Sequence, residues 1–549
     1  MMLSTQTTDV LIIGGGVIGC SCAYFLSKAG MNVTILEQGE LGGQASGAAA
    51  GLLAPLGPIP APGTFADLIL ASFRQFPAFV AELEASSGID VGYERTGALR
   101  VVRSGKRLTR LKQRFELWQS LGVRVEWMEG TEALKREPLL ASDVCGAVYS
   151  PEESQVNAVQ LVRALALSAQ QAGAHIYPHA AVNEIMYSGT NVTGVRTTAG
   201  DLYACKQLIV TAGAWSARLL HPLNDILLPL RPIVGQMLAL SQPEPALQHI
   251  IFGDTKYLLP RKREVLVGAT KEDNGFAIQV TPQGIDKLHT TALRLMPSLS
   301  SQSIIRSWAG VRPGTPDKRP IIGPIPGWEN LLVATGHNSS GIILSPITGQ
   351  GITEYVTTGH LPDVLQTFGY ERFNTPEFLS PSTPRPQLLM PDLQLIRLDH
   401  APALLAFELE NRAYFAASVP DRGDEFFAEF DTRYAQLLKY QAAGTDFLHV
   451  LVAERGEVVG RVNLIEVADG SAELGYRIAQ KAAGQGLATA AVRKVCELAA
   501  TEYGLTRLRA RVKRDNPASR KVLEHNGFVA VGELTLNGKP AMSYICELR

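Results

Sequence analysis

Residues 10–37 read VLIIGGGVIGCSCAYFLSKAGMNVTILE: an apolar strand, a glycine turn, an amphipathic helix and a second strand that ends on a carboxylate. Gly14, Gly16 and Gly19 stand at G-x-G-x-x-G spacing. In such a unit the first glycine allows a tight turn, the second lets a pyrophosphate approach the backbone, and the third lets helix and sheet pack closely. Val17 and Ile18 open the helix, whose free N–H groups face the phosphates. Glu37 falls where an acid accepts hydrogen bonds from ribose hydroxyls and favours an adenosine without a 2′-phosphate. Strand, turn, helix, strand and acid in this order predict a dinucleotide cradle, because glycines serving packing alone leave the terminal acid unexplained.

A chain of 549 residues exceeds one ordinary core and predicts two or more domains. Its net charge of −1, with 19% charged residues, gives no electrostatic reason to expect nucleic acid or an anionic membrane as partner. No apolar run reaches the roughly 20 residues of a membrane helix, and MMLSTQTTDV has no secretory pattern. The six cysteines are scattered without metal-ligand spacing. They read as free thiols in a reducing, cytoplasmic setting, and no metal is expected.

Residues 38–55, QGELGGQASGAAAGLLAP, are almost all small and suit a segment lying against a planar ligand. Here the sequence resembles the glycine oxidase/D-amino-acid oxidase family of flavoenzymes, of the thiamine-pathway type, over about its first two-thirds. The resemblance implies that Gln38, Ala45, Ser46, Ala50, Gly51 and Leu52 wrap a flavin, and that the backbone of Val182 meets the adenine. It implies FAD, held non-covalently, as cofactor.

Blocks of alternating residues in 231–270 predict an antiparallel sheet with one covered face, the substrate domain. Residues 93–102 also alternate as a strand would, and a helix is expected from Gln283 to Leu295. The segment 308–323, WAGVRPGTPDKRPIIG, holds Arg312 on a proline-stiffened turn. A guanidinium fixed there suits bidentate capture of an α-carboxylate, the role that the resemblance gives Arg312; Tyr257 matches the family tyrosine that lines the substrate pocket. In 331–352, LLVATGHNSSGIILSPITGQGI, the helix is expected to open near Ser345–Pro346. His337, Asn338, Ser339, Ser340, Gly341, Ile342 and Ile343 match the flavin-contacting loop. Relatives can carry arginine where Ser339 stands, so a second cation near the substrate is expected to be missing. His337 is expected to position, not to act as base.

Residues 374–391 contain five prolines and read as an interdomain linker. In 392–549 a strand leads to a turn at Gly484-Gln485-Gly486 and a long helix, with N–H groups again free for a pyrophosphate. This region resembles the Gcn5-related N-acetyltransferase family, in its ribosomal-protein-alanine acetyltransferase branch: Gly484 and Gly486 match the signature, Lys481 departs from it, and Asn516-Pro-Ala-Ser519 supplies the companion motif. The resemblance implies acetyl-CoA as co-substrate. Glu473 is the candidate base for the acceptor amine; Ser519 is the candidate acid, because Leu523 stands where some branches carry tyrosine.

The fold expected is α/β and α+β: a Rossmann-like FAD-binding domain with an antiparallel substrate domain in 1–373, then a separate acetyltransferase domain in 392–549. The activity expected is oxidation of glycine or a small secondary amine, with hydride passing to flavin, dioxygen yielding hydrogen peroxide, and a link to thiazole formation in thiamine synthesis. A quinone-linked dehydrogenase, and an oxidase regulated by a non-catalytic acyl-CoA-binding domain, are the alternatives. The sequence leaves open the acetyl acceptor and the oligomeric state, a homo-oligomer included.

Overall fold

An apolar strand followed at once by three glycines must turn sharply. It does so between β1 (Gln6–Ile13) and α1 (Val17–Lys28), which leads to β2 (Val33–Leu36). The computed structural model describes residues 6–223, 226–253, 255–273, 275–276, 278–373, 392–416, 421–453, 456–483, 487–536 and 538–548. The chain divides into two units, Met1–Gln387 and Leu388–Arg549; the expected linker at 374–391 lies outside the described residues.

In the first unit β1 pairs in parallel with β2 on one side and with Leu202–Val210 on the other. The sheet extends through Leu331–Thr335 to an antiparallel edge at Ile321–Pro324, and beyond β2 to His175–Tyr177. Val10 and Ile12 of β1 join the core beneath α1, whereas Leu11 and Ile13 join the core on the opposite face. That alternation explains why the strand is apolar throughout.

A second eight-stranded sheet carries β3 (Arg231–Ser241), β4 (Tyr257–Pro260), β5 (Glu264–Gly268) and β6 (Ile304–Gly314), with β6 at its edge next to β3. These four run antiparallel. Leu238, Leu240, Val265 and Val267 face α2 (Pro282–Leu295), while Met237, Ala239, Leu259 and Leu266 form a core on the other face. Within the alternating stretch 93–102, the strand of this sheet is only Ala98–Val102.

A helix, α3 (Gly341–Thr358), follows the strand Leu331–Thr335. It opens earlier than the expected start near Ser345. Proline inside a helix removes one N–H and orphans the carbonyl four residues before it. Here that carbonyl belongs to Ile342, and the Ser345 hydroxyl donates to it at 2.9 Å, so the helix runs through Pro346.

The second unit is a seven-stranded sheet. Its centre holds β7 (Val458–Ala468), β8 (Ser471–Ile478) and β9 (Arg507–Lys513). β8 and β9 are parallel and pair only from Ser471–Arg507 to Glu473–Arg509. Helix α4 (Ala401–Glu410) packs on one face; α5 (Leu487–Thr501) and α6 (Pro517–His525) belong to the other. All six cysteines of the chain are unbridged. Among the described residues no helix is long and apolar enough to cross a membrane.

Candidate active site

Gly14 has φ +111°, a conformation open to glycine, and an added Cβ would lie 2.8 Å from the Thr211 carbonyl oxygen. At Gly19 a Cβ would fall 1.9 Å from the Gly14 carbonyl oxygen. Helix and turn thus touch through backbone at the position the spacing predicts. Gly16 is the partly open member of the three, with only Ser46 Oγ near its missing Cβ. The Val17 N–H donates to Ser46 Oγ at 2.9 Å. Those of Ile18 and Gly19 keep no partner among the described residues, the donors a phosphate needs.

Glu37 is buried and accepts from the Gly15 N–H at 2.6 Å and the Gly39 N–H at 2.9 Å, one on each oxygen. A carboxylate has about four acceptor positions, so each oxygen retains one for a ribose hydroxyl. The Glu37 carbonyl accepts from Ala180 N–H at 2.8 Å, which draws the turn before Val182 up to the acid. Thr211, which the sequence reading missed, closes the cradle by donating its hydroxyl to the carbonyls of Ile13 and Gly14. Gln38 follows Glu37 directly.

The small-residue segment is clamped from the second sheet. Trp308 Nε1 donates to the Ala48 carbonyl at 3.0 Å, and a Cβ on Gly310 would meet Ala48 Cβ at 2.3 Å. Alternate residues of a strand share a face, so Trp308, Gly310 and Arg312 present one row to this segment. Ala45 and Ser46 are partly exposed, as is Leu52. Gly51, at φ +79°, lies so close to the Val156 carbonyl that a Cβ would be 1.8 Å from its oxygen. Arg261, also absent from the sequence reading, bridges the carbonyls of Ala50 (2.7 Å) and Val156 (2.6 Å).

Arg312 reaches across Gly235 of β3: a Cβ there would lie 2.5 Å from both terminal guanidinium nitrogens. Its one hydrogen bond among the described residues is a long one, 3.3 Å to the Thr270 carbonyl, and no carboxylate there pairs with it. Burial pulls its pKa down, and Tyr257 partly restores it. The Tyr257 ring occupies the space that Gly268, its register partner, leaves open. Burial pushes the Tyr257 hydroxyl up to about 12, against the pull of Arg312 and Arg261. An uncharged hydroxyl and an uncompensated guanidinium therefore share this face. Lys256 donates to the neighbouring Ala269 carbonyl at 2.7 Å; burial lowers its pKa, as do Lys287, Lys271 and Arg312. Cations thus gather around Arg312, contrary to the expectation that a second one is missing.

The loop before α3 is tied to β6 beside Arg312, since the Asn338 N–H donates to the Pro313 carbonyl at 3.1 Å. Ser339 is exposed, Ser340 buried, and Gly341 packs on His337 and Val17. Ile342 and Ile343 are core residues. His337 is buried with Nε2 3.2 Å from Thr348 Oγ1, and burial drops its pKa to about 3. It is a neutral ring held in place.

Glycine turn, acid, small-residue strap and unpaired guanidinium meet in the part of the chain that matches known flavoproteins. Residues 9–355 match the family described as FAD dependent oxidoreductase. The chain belongs to that family. Glycine oxidase of Geobacillus kaustophilus is 34% identical over 355 residues, 64% of this chain and 93% of that one. The crystal structure of glycine oxidase from that organism superposes with a TM-score of 0.64 at 33% identity, covering 67% of this chain and 99% of the other. The bifunctional protein ThiO/ThiG of Trichormus variabilis is 35% identical over 382 residues, 67% of this chain and 55% of its own. As a family member the first unit is a flavoprotein oxidoreductase of glycine oxidase type. Its glycine turn, with free N–H groups, and Glu37, with free acceptor positions, fit the pyrophosphate and ribose of FAD.

Residues 392–529 match the acetyltransferase (GNAT) domain, and the unit carries that fold. Gly484 and Gly486 lie outside the described residues. Asn516 caps α6, accepting from the Ser519 N–H at 3.0 Å. Glu473, expected as a base, gives both oxygens to Arg511, at 2.8 and 2.7 Å. A carboxylate gripped bidentately by a guanidinium is an ion-pair partner first. Tyr476, which the sequence reading missed, reaches Ser519 from β8: its hydroxyl lies 3.0 Å from Ser519 Oγ.

Proposed function

We propose that the first unit oxidises glycine or a small secondary amine such as sarcosine, with dioxygen as acceptor. The observation that carries this reading is Arg312, a largely desolvated guanidinium without a counter-ion among the described residues, on the strand face that grips the small-residue strap. Leaving such a cation unpaired is costly, and an α-carboxylate satisfies it with two parallel hydrogen bonds. Tyr257, beside it, offers a neutral hydroxyl and closes the pocket to larger side chains. With the carboxylate fixed there, the α-carbon is presented toward the strap. FAD, which the glycine turn and Glu37 would hold, would supply the two-electron acceptor for the α-hydrogen and the route of its electrons to dioxygen.

His337 removes no proton in this scheme: a ring with pKa about 3, bonded to Thr348, is a weak base at neutral pH. The amine enters unprotonated, and the N-terminus of α3 favours negative charge on the far side of the pocket. The likeness to the bifunctional ThiO/ThiG protein supports a use of the imine product in thiazole formation. For the second unit the reading is acetyl transfer from acetyl-CoA to an amine, in which Tyr476 and Ser519, hydroxyl to hydroxyl at 3.0 Å, protonate the departing thiolate. Glu473 takes the amine proton only when Arg511 releases it.

The test is anaerobic titration of the FAD-loaded chain with glycine, sarcosine and larger amino acids. Full bleaching by glycine or sarcosine, then one peroxide per turnover in air, is expected. Unbleached flavin ends the reading; bleaching without peroxide replaces oxygen by a quinone acceptor.

A further inference from the structure

The second unit holds a concentration of charge that neither the glycine turn nor the Tyr476–Ser519 pair uses. Glu408 of α4 is only 2% exposed. Arg461 Nη1 donates to its Oε1 at 2.9 Å, Arg477 Nη1 donates to its Oε2 at 3.1 Å, and Arg422 stands 3.8 Å from Oε1. One buried carboxylate thus faces three guanidiniums. Arg461 Nε is buried without a partner. Among the described residues Arg422 has no closer acceptor than Glu408 and lies over the Phe426 ring at 4.4 Å. Burial, and then the neighbouring Arg461 and Arg477, bring its pKa down to about 10 against the pull of Glu408.

Glu408, Arg422 and Arg477 line a shallow cleft open to solvent, with Phe415 and Phe427 as apolar walls. Arg412 at its rim donates at 2.6 Å to Asp421 and to Asp424, which leaves one negative charge in excess at the rim against two positive ones inside. The planes of the inner arginines are fixed on aromatic rings, Arg477 over Phe415 at 5.3 Å and Arg422 over Phe426. A rigid fork of guanidiniums with charge in excess of its carboxylate is matched by an oxyanion.

The position of the cleft suggests what brings that oxyanion. Beyond Glu473, β8 has no further pairing with β9. At this parted end Tyr476 points to α6, where it meets Ser519, while Arg477 points to Glu408 on α4. Successive residues of a strand face opposite sides. The cleft therefore opens on the face opposite Tyr476, one residue along the same strand.

We propose that this cleft binds the carboxylate or phosphate of the amine that the second unit acetylates. The proposal rests on the acetyl-transfer reading. In that transfer the amine nitrogen bonds to the acetyl carbon, the carbon–sulfur bond breaks, and the amine proton leaves as the thiolate gains one. The cleft takes no part in those bonds; it anchors the acceptor at its anionic group.

The test uses the full chain carrying Arg312→Ala, loaded with FAD and saturated with CoA, so that the oxidase arginine and both pyrophosphate cradles are out of play. Calorimetric titration with inorganic phosphate and, separately, with acetate is expected to show one site for at least one of them. Arg422→Gln should weaken it tenfold or more, Arg422→Lys less, and Arg514→Gln, on an exposed pair with Glu533, not at all. Binding of phosphate alone assigns a phosphorylated acceptor, and of acetate alone a carboxylated one. No binding, or binding untouched by Arg422→Gln, overturns the proposal. Thiol release from acetyl-CoA with an amine panel is read in parallel. If no amine releases thiol while the Arg422-dependent site persists, the acetyl-transfer reading fails and the oxyanion site stands.

Discussion

The two units use arginine in opposite ways. In the first, Arg312 lies across a glycine with, among the described residues, one long hydrogen bond to a carbonyl and no carboxylate partner. In the second, Arg422, Arg461 and Arg477 surround a carboxylate that the protein itself supplies. A lone desolvated cation is poised for a ligand that brings the counter-charge. A cluster with its own acid is a pre-arranged frame whose surplus charge selects ligands without depending on them for stability. The difference teaches where each half is vulnerable: the first in binding, the second in the integrity of the frame.

The largest effect separating the halves is expected at Arg312. Arg312→Ala should weaken glycine binding by about 2–5 kcal/mol, the cost of removing one partner of a buried charge pair, with FAD affinity unchanged. The apparent dissociation constant from anaerobic flavin reduction measures it, and an unchanged constant removes Arg312 from the pocket. Next comes Gly19→Ala, whose Cβ would press on the Gly14 carbonyl. Overpacking of this kind costs about 1–3 kcal/mol and should appear as weaker FAD binding to the apoprotein. CoA binding to the second unit should be untouched.

The smallest effect per step is in pH, where each half carries at least one buried neutral histidine. Burial puts His337 at about 3 and His449, between the Val462 carbonyl and the Tyr503 hydroxyl, at about 4. Both lie below the unfolded value of 6.5, so the unfolded chain takes up the proton first. Stability is complete above pH 6.5 and falls as pH drops, by at most about 1.4 kcal/mol per unit for each histidine. The loss ends near pH 4 for His449 and nearer 3 for His337. Urea unfolding of the first unit, followed by flavin release between pH 7 and 4.5, should be less pH-dependent in His337→Gln. Equal slopes in both proteins would show that His337 is protonated when folded.

What the sequence revealed follows from range. Gly14, Gly16, Gly19 and Glu37 sit within one short unit whose spacing encodes its geometry, whereas Arg312, expected on a proline-stiffened turn, lies inside β6, an edge strand that tolerates Pro313. Thr211 and Arg261 act on backbone far away in the chain, at Gly14 and at Ala50, and no local pattern announces such a bond. The start of α3 was hidden because proline normally marks an opening, and only the Ser345 hydroxyl bonded to Ile342 lets the helix pass through it. Glu473 read as an available acid because its partner, Arg511, is on another strand. The arginine cleft joins α4, the stretch after it, β7 and β8, and is visible only once they fold together.

The central claim is that Arg312 awaits a carboxylate beside the flavin. Acetate, which has the carboxylate and no amine, tests it without any chemistry. Titrated into the FAD-loaded chain, it should shift the flavin absorption spectrum, compete with glycine and lose both effects in Arg312→Ala, while ethylamine does neither. An acetate response that survives in Arg312→Ala, or none in the parent protein, would contradict the account.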